Sequence, residues 1–284
     1  MMRDIIWKNN ESEKMRIHEK NKVVYLTFPA LDSFDFIRHG FSSRYGGVSE
    51  GYFSEMNLSF TRGDQEDHVM ENYRRIADAI GFSLEDIVCS DQTHTTNIRE
   101  VGLKDRGKGI LCPRDYTDID GFVTNAKGPV LATSYADCVP VYLVDPKNKA
   151  VALLHSGWRG TVNNIAGKAV LMLQEKYESA PEDLVAAIGP SICQDCYEIS
   201  EDVAEKFKAT YTKDELVRIL RDDHNGKYHL NLWEAVLCNL RKSGLAEENI
   251  HLPNLCTCCN PEFLFSHRAS KGKRGNLEAF LQII

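Results

Sequence analysis

The chain has 284 residues, of which 43% are hydrophobic and 26% are charged, and its formal net charge is −7 at pH 7. This composition is typical of a globular protein and excludes an intrinsically disordered chain. A net negative charge disfavours non-specific binding to nucleic acid, and no stretch approaches the about 18 uninterrupted apolar residues of a membrane span. We therefore expect neither nucleic acid nor a membrane as a partner.

The first third of the chain is predicted to contain strands and one helix. Residues 1–20 are expected to be a loosely ordered N-terminal extension of the domain. Apolar residues spaced as on one face of a helix predict a helix over 67–80, ended by Gly81. Short strands are predicted at four places: 22–28, 36–43, 85–90 and 97–101.

The centre of the chain carries the pattern of a β-hairpin. Apolar strands are predicted at Pro129–Tyr135, Pro140–Val144 and Ala150–Leu154, and the turn-forming residues 145–149 separate the last two. Cys138 and His155 are about equally distant from this turn, so a regular antiparallel hairpin places them nearly opposite each other. Side chains in such a position can be ligands of one metal ion, although a bulge would shift the register.

A glycine-containing loop and a helix follow this hairpin. The segment His155-Ser156-Gly157-Trp158-Arg159-Gly160 precedes an amphipathic helix predicted from about Thr161 to Tyr177. Glycine permits tight backbone turns, and the N-terminus of a helix attracts anions. Together with Arg159, this arrangement favours an oxyanion or phosphate pocket.

The last third continues the alternation of strands and helices. A strand is predicted at Leu184–Ile188, and helices at 201–210, after Ser200, and at 231–243, ended by Gly244. The segments 263–267 and 277–284 have strand-like or mixed patterns. No linker rich in proline, glycine or serine divides the chain, so we predict one α+β domain over residues 1–284.

Nine cysteines and nine histidines are present. The N-terminus has no apolar run long enough for a signal peptide, which predicts a cytoplasmic location, where disulfides are rare. A multicopper centre requires many histidines in His-x-His pairs, and no such pair occurs. Two segments resemble halves of a zinc ribbon, but the segment between them is far longer than the about 15–20 residues of such sites. The cysteines of Cys193-Gln194-Asp195-Cys196 and Cys256-Thr257-Cys258-Cys259 are therefore expected to be buried or half-exposed thiols near a shared surface, and a structural zinc site is the less favoured alternative.

Cys138 and His155 alone do not make a zinc site, because catalytic zinc usually has three protein ligands and a water molecule. His94 is the third candidate, since it lies in a polar loop after a strand, but spacing nominates His39 and His267 equally. Alternatively, Cys138 is a free nucleophile with His155 as its base. These alternatives remain open at the level of the residues.

Several motifs in order along the chain resemble the YfiH/YlmD family, whose members are often called laccase-domain proteins or polyphenol oxidases. The resemblance covers about residues 36–268. Its motifs are His39-Gly40-Phe41-Ser42-Ser43-Arg44-Tyr45-Gly46-Gly47-Val48-Ser49, Gln92-Thr93-His94, Asp118-Ile119-Asp120-Gly121, Ala136-Asp137-Cys138-Val139-Pro140, His155-Ser156-Gly157-Trp158-Arg159-Gly160, Gly189-Pro190-Ser191-Ile192, Cys196-Tyr197-Glu198 and Cys256-Thr257-Cys258.

The resemblance implies one α+β domain with mixed β-sheets packed between helices. It implies a zinc site formed by His94, Cys138 and His155. It also implies phosphorolysis of adenosine, inosine, guanosine and methylthioadenosine, and deamination of adenosine. A copper-dependent polyphenol oxidase and an enzyme that edits peptidoglycan precursors, the latter with a Cys–His site, are the alternative functions.

The roles of the remaining candidates follow from this chemistry. Asp120 and Asp137 are candidate general bases, which would activate water or phosphate. Ser43, Arg44 and Arg159 are candidates for binding substrate or phosphate, because arginine donates charge-assisted and bidentate hydrogen bonds.

Two segments depart from the family pattern, which commonly has Asp-Leu before its late helix and a closing Thr-Gly-Arg-like motif. This chain has Asn231-Leu232 at the first place and residues 272–276 at the second.

Overall fold

The computed structural model describes residues 4–9 and 13–284. The strands in this part of the chain are β1 (Arg16–Lys20), β2 (Val23–Thr27), β3 (Ile37–Ser42), β4 (Ile87–Cys89), β5 (Ile98–Glu100), β6 (Gly121–Thr124), β7 (Val130–Tyr135), β8 (Val139–Asp145), β9 (Ala150–Ser156), β10 (Val185–Ile188), β11 (Glu198–Ser200), β12 (Leu220–Asp222), β13 (Lys227–Leu230), β14 (Ile250–His251) and β15 (Leu277–Ile283). The helices are α1 (Pro29–Asp32), α2 (Glu66–Ile80), α3 (Trp158–Val162), α4 (Ile165–Tyr177), α5 (Glu201–Thr210), α6 (Lys213–Ile219), α7 (Leu232–Lys242) and α8 (His267–Ser270).

The strands form two large sheets and one small sheet. Sheet 1 has the order β1-β2-β3-β15-β7-β4, sheet 2 has the order β14-β10-β8-β9-β6-β5, and sheet 3 has the order β11-β13-β12. Sheets 1 and 2 are mixed. In sheet 1, β4 runs parallel to β7, and in sheet 2, β14 runs parallel to β10 and β5 runs parallel to β6. The other strand pairs of both sheets are antiparallel.

Sheets 1 and 2 face each other across an apolar core, and helices cover their outer faces. Helix α2 packs on sheet 1, while α4 and α7 pack on sheet 2. Every residue of β8 and β9 is buried, because these strands have a covered face on both sides. The predicted α+β fold with mixed sheets between helices is confirmed.

Most predicted helices and strands are present, but one predicted helix is wrong in its extent. Helix α2 ends at Gly81, whose φ of 97° is left-handed, as the sequence predicts. The single helix predicted from Thr161 to Tyr177 is instead two helices, α3 and α4. The chain is interrupted because Asn164 has a left-handed φ of 57° and its side chain accepts a hydrogen bond from the Gly167 amide. Asn164 thereby caps α4.

The central hairpin is present, but its register differs from the predicted one. His155 pairs with Pro140, and Asp145 pairs with Ala150, so the loop between the strands is formed by residues 146–149. Continuing this register puts Cys138 opposite Gly157, diagonal to His155 and on the same face of the sheet. Cys138 and His155 are therefore neighbours, as predicted, but they are diagonal neighbours and not a direct pair.

The two ends of the chain also differ from expectation. Residues 16–20, which the sequence assigned to a loosely ordered extension, form β1 and pair with β2. Residues 1–3 and 10–12 of that extension lie outside the described residues. Near the other end, 263–266 contain no strand and His267 begins α8, whereas 277–283 form the predicted strand, β15.

None of the helices in residues 4–9 and 13–284 combines the length and the apolar composition that a membrane span requires.

Candidate metal centre and its cavity

Three side chains with metal-binding atoms meet where sheet 2 adjoins the loop after β4. One ligand atom each from His94, Cys138 and His155 lies within 4.8 Å of the others, and His94 Nε2 is 3.9 Å from Cys138 Sγ. Nitrogen and sulfur ligands of tetrahedral zinc lie about 3.5 Å apart, given bonds of about 2.0 and 2.3 Å. The three residues fit a metal site with one open position, because they supply three of the four donors that a tetrahedral ion takes.

Asp120 fixes the geometry of this cluster from below. Its carboxylate accepts hydrogen bonds from the backbone amides of Thr93, His94 and Thr95, and from the Thr95 hydroxyl. Its Oδ1 also lies 2.7 Å from Nδ1 of His155. This contact leaves Nε2 of His155 free for the cluster, an arrangement typical of carboxylate–histidine–metal triads.

The contacts of Asp120 do not favour the predicted role of general base. Burial acts to raise the pKa of Asp120, but the hydrogen bond and charge of His155 and the bonds from Thr95 outweigh it and lower the pKa to about 2. A fully buried carboxylate with so low a pKa is a poor proton acceptor. We assign Asp120 a positioning role.

Gly157 allows the three ligand residues to approach one another. A Cβ atom at this position would lie 2.9 Å from His94 Cδ2 and 3.1 Å from Cys138 Sγ. Both distances are shorter than ordinary van der Waals contact. Glycine is thus required at position 157, because a larger residue would collide with His94 and Cys138 of the cluster.

Without a metal ion, Cys138 and His155 resemble an ion pair. Burial acts to raise the pKa of Cys138, but the charge of His155 and hydrogen bonds from His155 and His94 lower it to about 6. Burial acts to lower the pKa of His155, but the charge of Cys138 and the hydrogen bond with Asp120 raise it to about 9. Both groups are therefore in the electrostatic state that a Cys–His dyad requires.

The other two histidines that spacing nominated do not belong to this cluster. His39 lies in the core and accepts a hydrogen bond from the backbone amide of Phe28, and its burial lowers its pKa to about 4. His267 lines the adjacent cavity. Among the described residues, His94 is therefore the histidine that completes the group with Cys138 and His155.

A cavity of about 550 Å³ opens beside the cluster. This volume lies within the range of about 300–1,000 Å³ that is common for small-molecule sites. Its aromatic lining residues are Phe60, Tyr73, Tyr135, Trp158 and Tyr197, and its basic lining residues are Arg62, Arg114, Arg159, His267, Arg268 and Arg274.

Two of the arginines that line the cavity form no ion pair with a carboxylate in the described part of the chain. Neither Arg62 nor Arg274 forms an ion pair with a described residue, and the Nε atom of each is buried without a hydrogen-bond partner. Burial lowers the pKa of Arg274 to about 10, and the charge of Arg62 contributes to this. Adjacent guanidinium groups with unused donors can bind an anion. Sequence reasoning missed both residues, although Arg274 lies in the closing segment that departs from the family pattern.

Of the three residues predicted to bind substrate or phosphate, one lines the cavity and two do not. Ser43 is buried and donates a hydrogen bond to the Val24 carbonyl, and Arg44 donates to the carbonyls of Ser54 and Pro261. Neither lines the cavity, so the structure does not support these two predictions. Arg159 does line it, and its guanidinium lies 4.4 Å from the centroid of the Trp158 ring.

Asp137 lines the cavity, but its carboxylate is engaged. Its Oδ1 accepts a hydrogen bond of 2.6 Å from the Thr257 hydroxyl, and its Oδ2 accepts one of 2.7 Å from the Arg268 amide. Its φ of 92° is left-handed, so the backbone here is held in a strained conformation beside Cys138. These contacts favour a positioning role over that of general base.

Glu278 is a cavity residue that the sequence did not reveal. Its Oε1 accepts hydrogen bonds from Tyr73 and Ser134, whereas its buried Oε2 has no partner in the described structure. Burial raises the pKa of Glu278 to about 8, although these two hydrogen bonds oppose the effect. A carboxyl group that is protonated near neutral pH can act as a general acid. It escaped notice because it lies in an apolar strand, just after the closing segment 272–276, where a lone glutamate carries no motif of its own.

The fold and the site define a class of protein, which comparison with known proteins identifies. The family model described as "Multi-copper polyphenol oxidoreductase laccase" matches residues 38–284. The crystal structure of the YfiH protein of Bacillus licheniformis has a TM-score of 0.87 at 31% sequence identity, covering 94% of this chain and 99% of that one. The chain therefore belongs to the laccase-domain family that includes YfiH and YlmD.

Two curated relatives have names that state an activity. "Purine nucleoside phosphorylase YlmD" of Geobacillus stearothermophilus is 36% identical over 246 residues, which are 85% of this chain and 88% of that protein. "Adenosine deaminase RL5", from an unknown prokaryotic organism, is 33% identical over 246 residues, which are 84% of this chain and 93% of that protein.

Proposed function

We propose that this protein is a zinc-dependent purine nucleoside enzyme. It catalyses phosphorolysis of adenosine, inosine, guanosine and methylthioadenosine, and it deaminates adenosine by hydrolysis. The observation that carries the proposal is the His94–Cys138–His155 cluster beside a cavity with two unpaired arginines. The names of the two relatives point to the same substrates. Purine nucleosides and phosphate are thus the proposed partners, and the cytoplasmic location stays a prediction.

Zinc is the proposed metal because the donor set contains one thiolate and two imidazoles, which zinc readily accepts, and leaves one position open. Bound there, it would supply Lewis acidity to a water molecule or a substrate oxygen. Asp120 holds His155 in the tautomer that presents Nε2, and it also fixes the backbone of His94. The ligand set is therefore positioned by the chain itself.

Phosphate is proposed to bind to Arg62 and Arg274, with Arg159 at the same cavity. In phosphorolysis a phosphate oxygen forms a bond to C1′ of the sugar, and the bond from C1′ to the purine nitrogen breaks with its electron pair on the base. The two guanidinium groups lack carboxylate partners among the described residues, so their charge is available to orient phosphate for this attack.

Glu278 is the proposed general acid. The leaving purine needs a proton on a ring nitrogen, and the raised pKa of Glu278 keeps a proton on this carboxyl up to about pH 8. Glu278 lines the cavity, and its Oε2 has no hydrogen-bond partner among the described residues. In deamination, the same proton can assist departure of ammonia after water has added to C6 of the purine.

The test is turnover of each nucleoside by zinc-loaded protein, with and without phosphate, followed by chromatography of the products. With phosphate we expect the free base and ribose 1-phosphate, and without phosphate only conversion of adenosine to inosine. His94→Ala should abolish both reactions, whereas Asp118→Asn, a change at an exposed residue close to Asp120, should not. Absence of turnover with every purine nucleoside would overturn the proposal.

The role of the arginines is tested separately. Arg62→Ala and Arg274→Ala should raise the KM for phosphate about tenfold or more, because each removes a charge-assisted contact. Deamination does not use phosphate, so its rate should change little. An equal loss of both activities would contradict the phosphate assignment.

Copper-dependent phenol oxidation is a second candidate, because a His₂Cys ligand set also occurs in copper sites and the family description names copper oxidation. The electron-transfer copper sites of this type usually have an axial methionine, and no methionine is among the residues that line the cavity. Metal analysis distinguishes the candidates: less than one copper per chain, with zinc present, excludes this function.

A Cys–His enzyme that hydrolyses a peptidoglycan precursor is a third candidate, supported by the lowered pKa of Cys138 and the raised pKa of His155. A Cys138→Ser variant that binds zinc normally but is inactive would favour a nucleophilic cysteine. Loss of zinc together with activity would favour the metal site.

A further inference from the structure

Four other cysteines, from two segments distant in sequence, meet in the fold. One Sγ atom each from Cys193, Cys196, Cys256 and Cys259 lies within 4.8 Å of the others. The structure has these residues as free thiols, buried or half-exposed as expected, and it brings all four into one cluster. The second pair is Cys256 and Cys259, which have the same Cys-x-x-Cys spacing as Cys193 and Cys196.

The distances between the sulfur atoms match those around a tetrahedral metal ion. Cys259 Sγ is 3.6 Å from Cys196 Sγ and 3.9 Å from Cys193 Sγ. Four sulfur atoms bonded to zinc at about 2.3 Å lie about 3.8 Å apart, whereas a disulfide requires about 2.05 Å. All four cysteines are free thiols in the structure.

Backbone amides already point at one of the sulfur atoms. The amides of Cys193 and Cys259 donate to Cys256 Sγ over 3.2 and 3.4 Å. Such hydrogen bonds stabilise negative charge on a thiolate ligand. The ammonium of Lys8 donates a hydrogen bond to the carboxylate of Asp195, which lies between Cys193 and Cys196 in the chain, so a positive charge is held near these thiols. The surroundings therefore favour a site that carries negative charge.

The fold explains why the spacing rule for zinc ribbons does not apply. Ser191 and Cys256 form a parallel β-bridge, in which the Thr257 amide donates to the Ser191 carbonyl. This bridge aligns the two Cys-x-x-Cys segments side by side. The length of chain between them is occupied by sheet 3 and helices α5 to α7, so it does not separate the two pairs in space.

Cys258 lies between two of the clustered cysteines but does not join them. Its side chain packs against the apolar core of sheet 2 and α7, and its thiol also interacts with that of Cys196. The segment 256–259 thus contributes its first and last cysteines to the four-sulfur cluster, and its third cysteine lies beside that cluster. Cys258 is consequently an internal control for the role of the other four.

We propose that Cys193, Cys196, Cys256 and Cys259 bind a second zinc ion, which has a structural role. Four thiolate ligands fill the tetrahedral coordination of zinc and leave no position for substrate. Two of the four cysteines are buried and two are half-exposed, as expected for a closed site at the edge of a domain.

The proposed ion stabilises one wall of the catalytic cavity. Thr257, inside the second Cys-x-x-Cys segment, donates to the Asp137 carboxylate, and the Ile192 amide donates to the Asp137 carbonyl. Asp137 directly precedes Cys138 in the chain. Crosslinking the two cysteine segments therefore holds the backbone on which one ligand of the catalytic centre depends.

The experiment is to measure zinc content in protein purified without added metal. We expect about two zinc ions per chain in the wild type, and about one in the Cys193→Ser/Cys259→Ser variant and in the His94→Ala variant. Cys258→Ser should keep about two, since it changes a neighbouring thiol outside the cluster. Zinc content that is equal in the Cys193→Ser/Cys259→Ser variant and the wild type overturns the proposal.

A second measurement does not depend on folding of the cysteine variants. X-ray absorption of zinc-loaded His94→Ala protein, in which only the second site is filled, should show four sulfur ligands at about 2.3 Å and no nitrogen ligands. Nitrogen ligands, iron in place of zinc, or no metal at all would each overturn it. Because this variant has lost the His94 ligand, the outcome is independent of the proposed nucleoside chemistry.

Discussion

At the residue scale, Asp120 joins more parts of the candidate metal centre than any ligand does. Its two oxygens hold the loop around His94 and the ring of His155 at once. His94 itself has a left-handed φ of 65°, which the backbone amides bonded to Asp120 maintain. The carboxylate therefore fixes both the direction and the tautomer of the two imidazoles before any metal binds.

Replacing Asp120 with asparagine should weaken zinc binding at this centre by about 10- to 100-fold, because the amide cannot accept all of these hydrogen bonds. A chelator competition titration measures the change. Asp118→Asn is the matched control, since it makes the same change at an exposed residue close to Asp120 in the chain. Equal affinity in the Asp120→Asn variant and the wild type would mean that Asp120 does not orient the ligands.

Glu278→Gln should change the pH dependence of both activity and stability. The pKa of Glu278 is raised to about 8, so between the unfolded value of about 4.3 and pH 8 only the unfolded chain loses this proton. Stability of the wild type therefore falls as pH rises through that interval, by up to about 1.4 kcal/mol per pH unit from this group. The stability of the glutamine variant should not depend on pH through this group. The activity of the wild type should fall above pH 8 as Glu278 loses its proton, and the activity of the glutamine variant should not show this fall.

Urea unfolding of both proteins at several pH values measures the stability effect, and kcat/KM profiles measure the effect on activity. Glu205→Gln, at an exposed position on α5, provides the control for loss of one carboxylate. If the wild type and the Glu278→Gln variant differ by a constant amount at all pH values, Glu278 does not remain protonated in the folded protein.

At the scale of the elements, the turn from β9 into α3 determines how closely the ligand residues approach. Gly157 lies in this turn and has no room for a methyl group beside His94 and Cys138. The same turn leads into a helix of only five residues, because Asn164 interrupts the helical path. The loop is therefore constrained at both of its ends.

Gly157→Ala should lower zinc affinity at least tenfold while the protein remains folded, because the added Cβ displaces the side chains of His94 and Cys138. Circular dichroism checks folding, and zinc titration checks affinity. Gly102→Ala is the control, since no atom outside its chain neighbours lies within 4 Å of the added carbon. Unchanged zinc affinity would show that the ligands are not constrained by this turn.

Asn164→Ala should destabilise the protein by about 1–2 kcal/mol, since alanine is unfavourable in a left-handed conformation and cannot cap α4. Asn164→Gly should cost less, because glycine adopts this conformation without strain. Urea denaturation measures both free energies of unfolding. If alanine were tolerated as well as glycine, the interruption between α3 and α4 would not depend on the conformation of this residue.

At the scale of the whole molecule, local sequence patterns predicted the secondary-structure elements, whereas contacts between residues distant in sequence determine which side chains meet in the cavity and in the cysteine cluster. The spacing that predicts α2 and the turn that predicts the β8–β9 hairpin are local, and both elements are present. The predicted register of this hairpin differs from the observed one because register depends on the geometry of the four-residue loop, which amino-acid composition does not specify.

The groups that sequence reasoning missed are those brought together by long-range contacts. Arg62 and Arg274 are far apart in the sequence but close enough in the fold for their charges to interact, and a β-bridge brings the Cys193 and Cys256 segments together. Their spacing along the chain carries no signal of these contacts. The candidate metal ligands could be predicted from the sequence because the short motifs that contain them resemble those of a known family.

The position of β15 in sheet 1 has a consequence for folding during synthesis. This strand lies between β3 and β7, so the two strands that border it are made long before it is. Until residues 277–283 leave the ribosome, β3 and β7 each have an open edge with unpaired backbone groups, and the apolar layer beneath them is incomplete. A nascent chain at that stage lacks Glu278 as well, so it exposes edges that chaperones recognise and has no finished cavity to bind substrate.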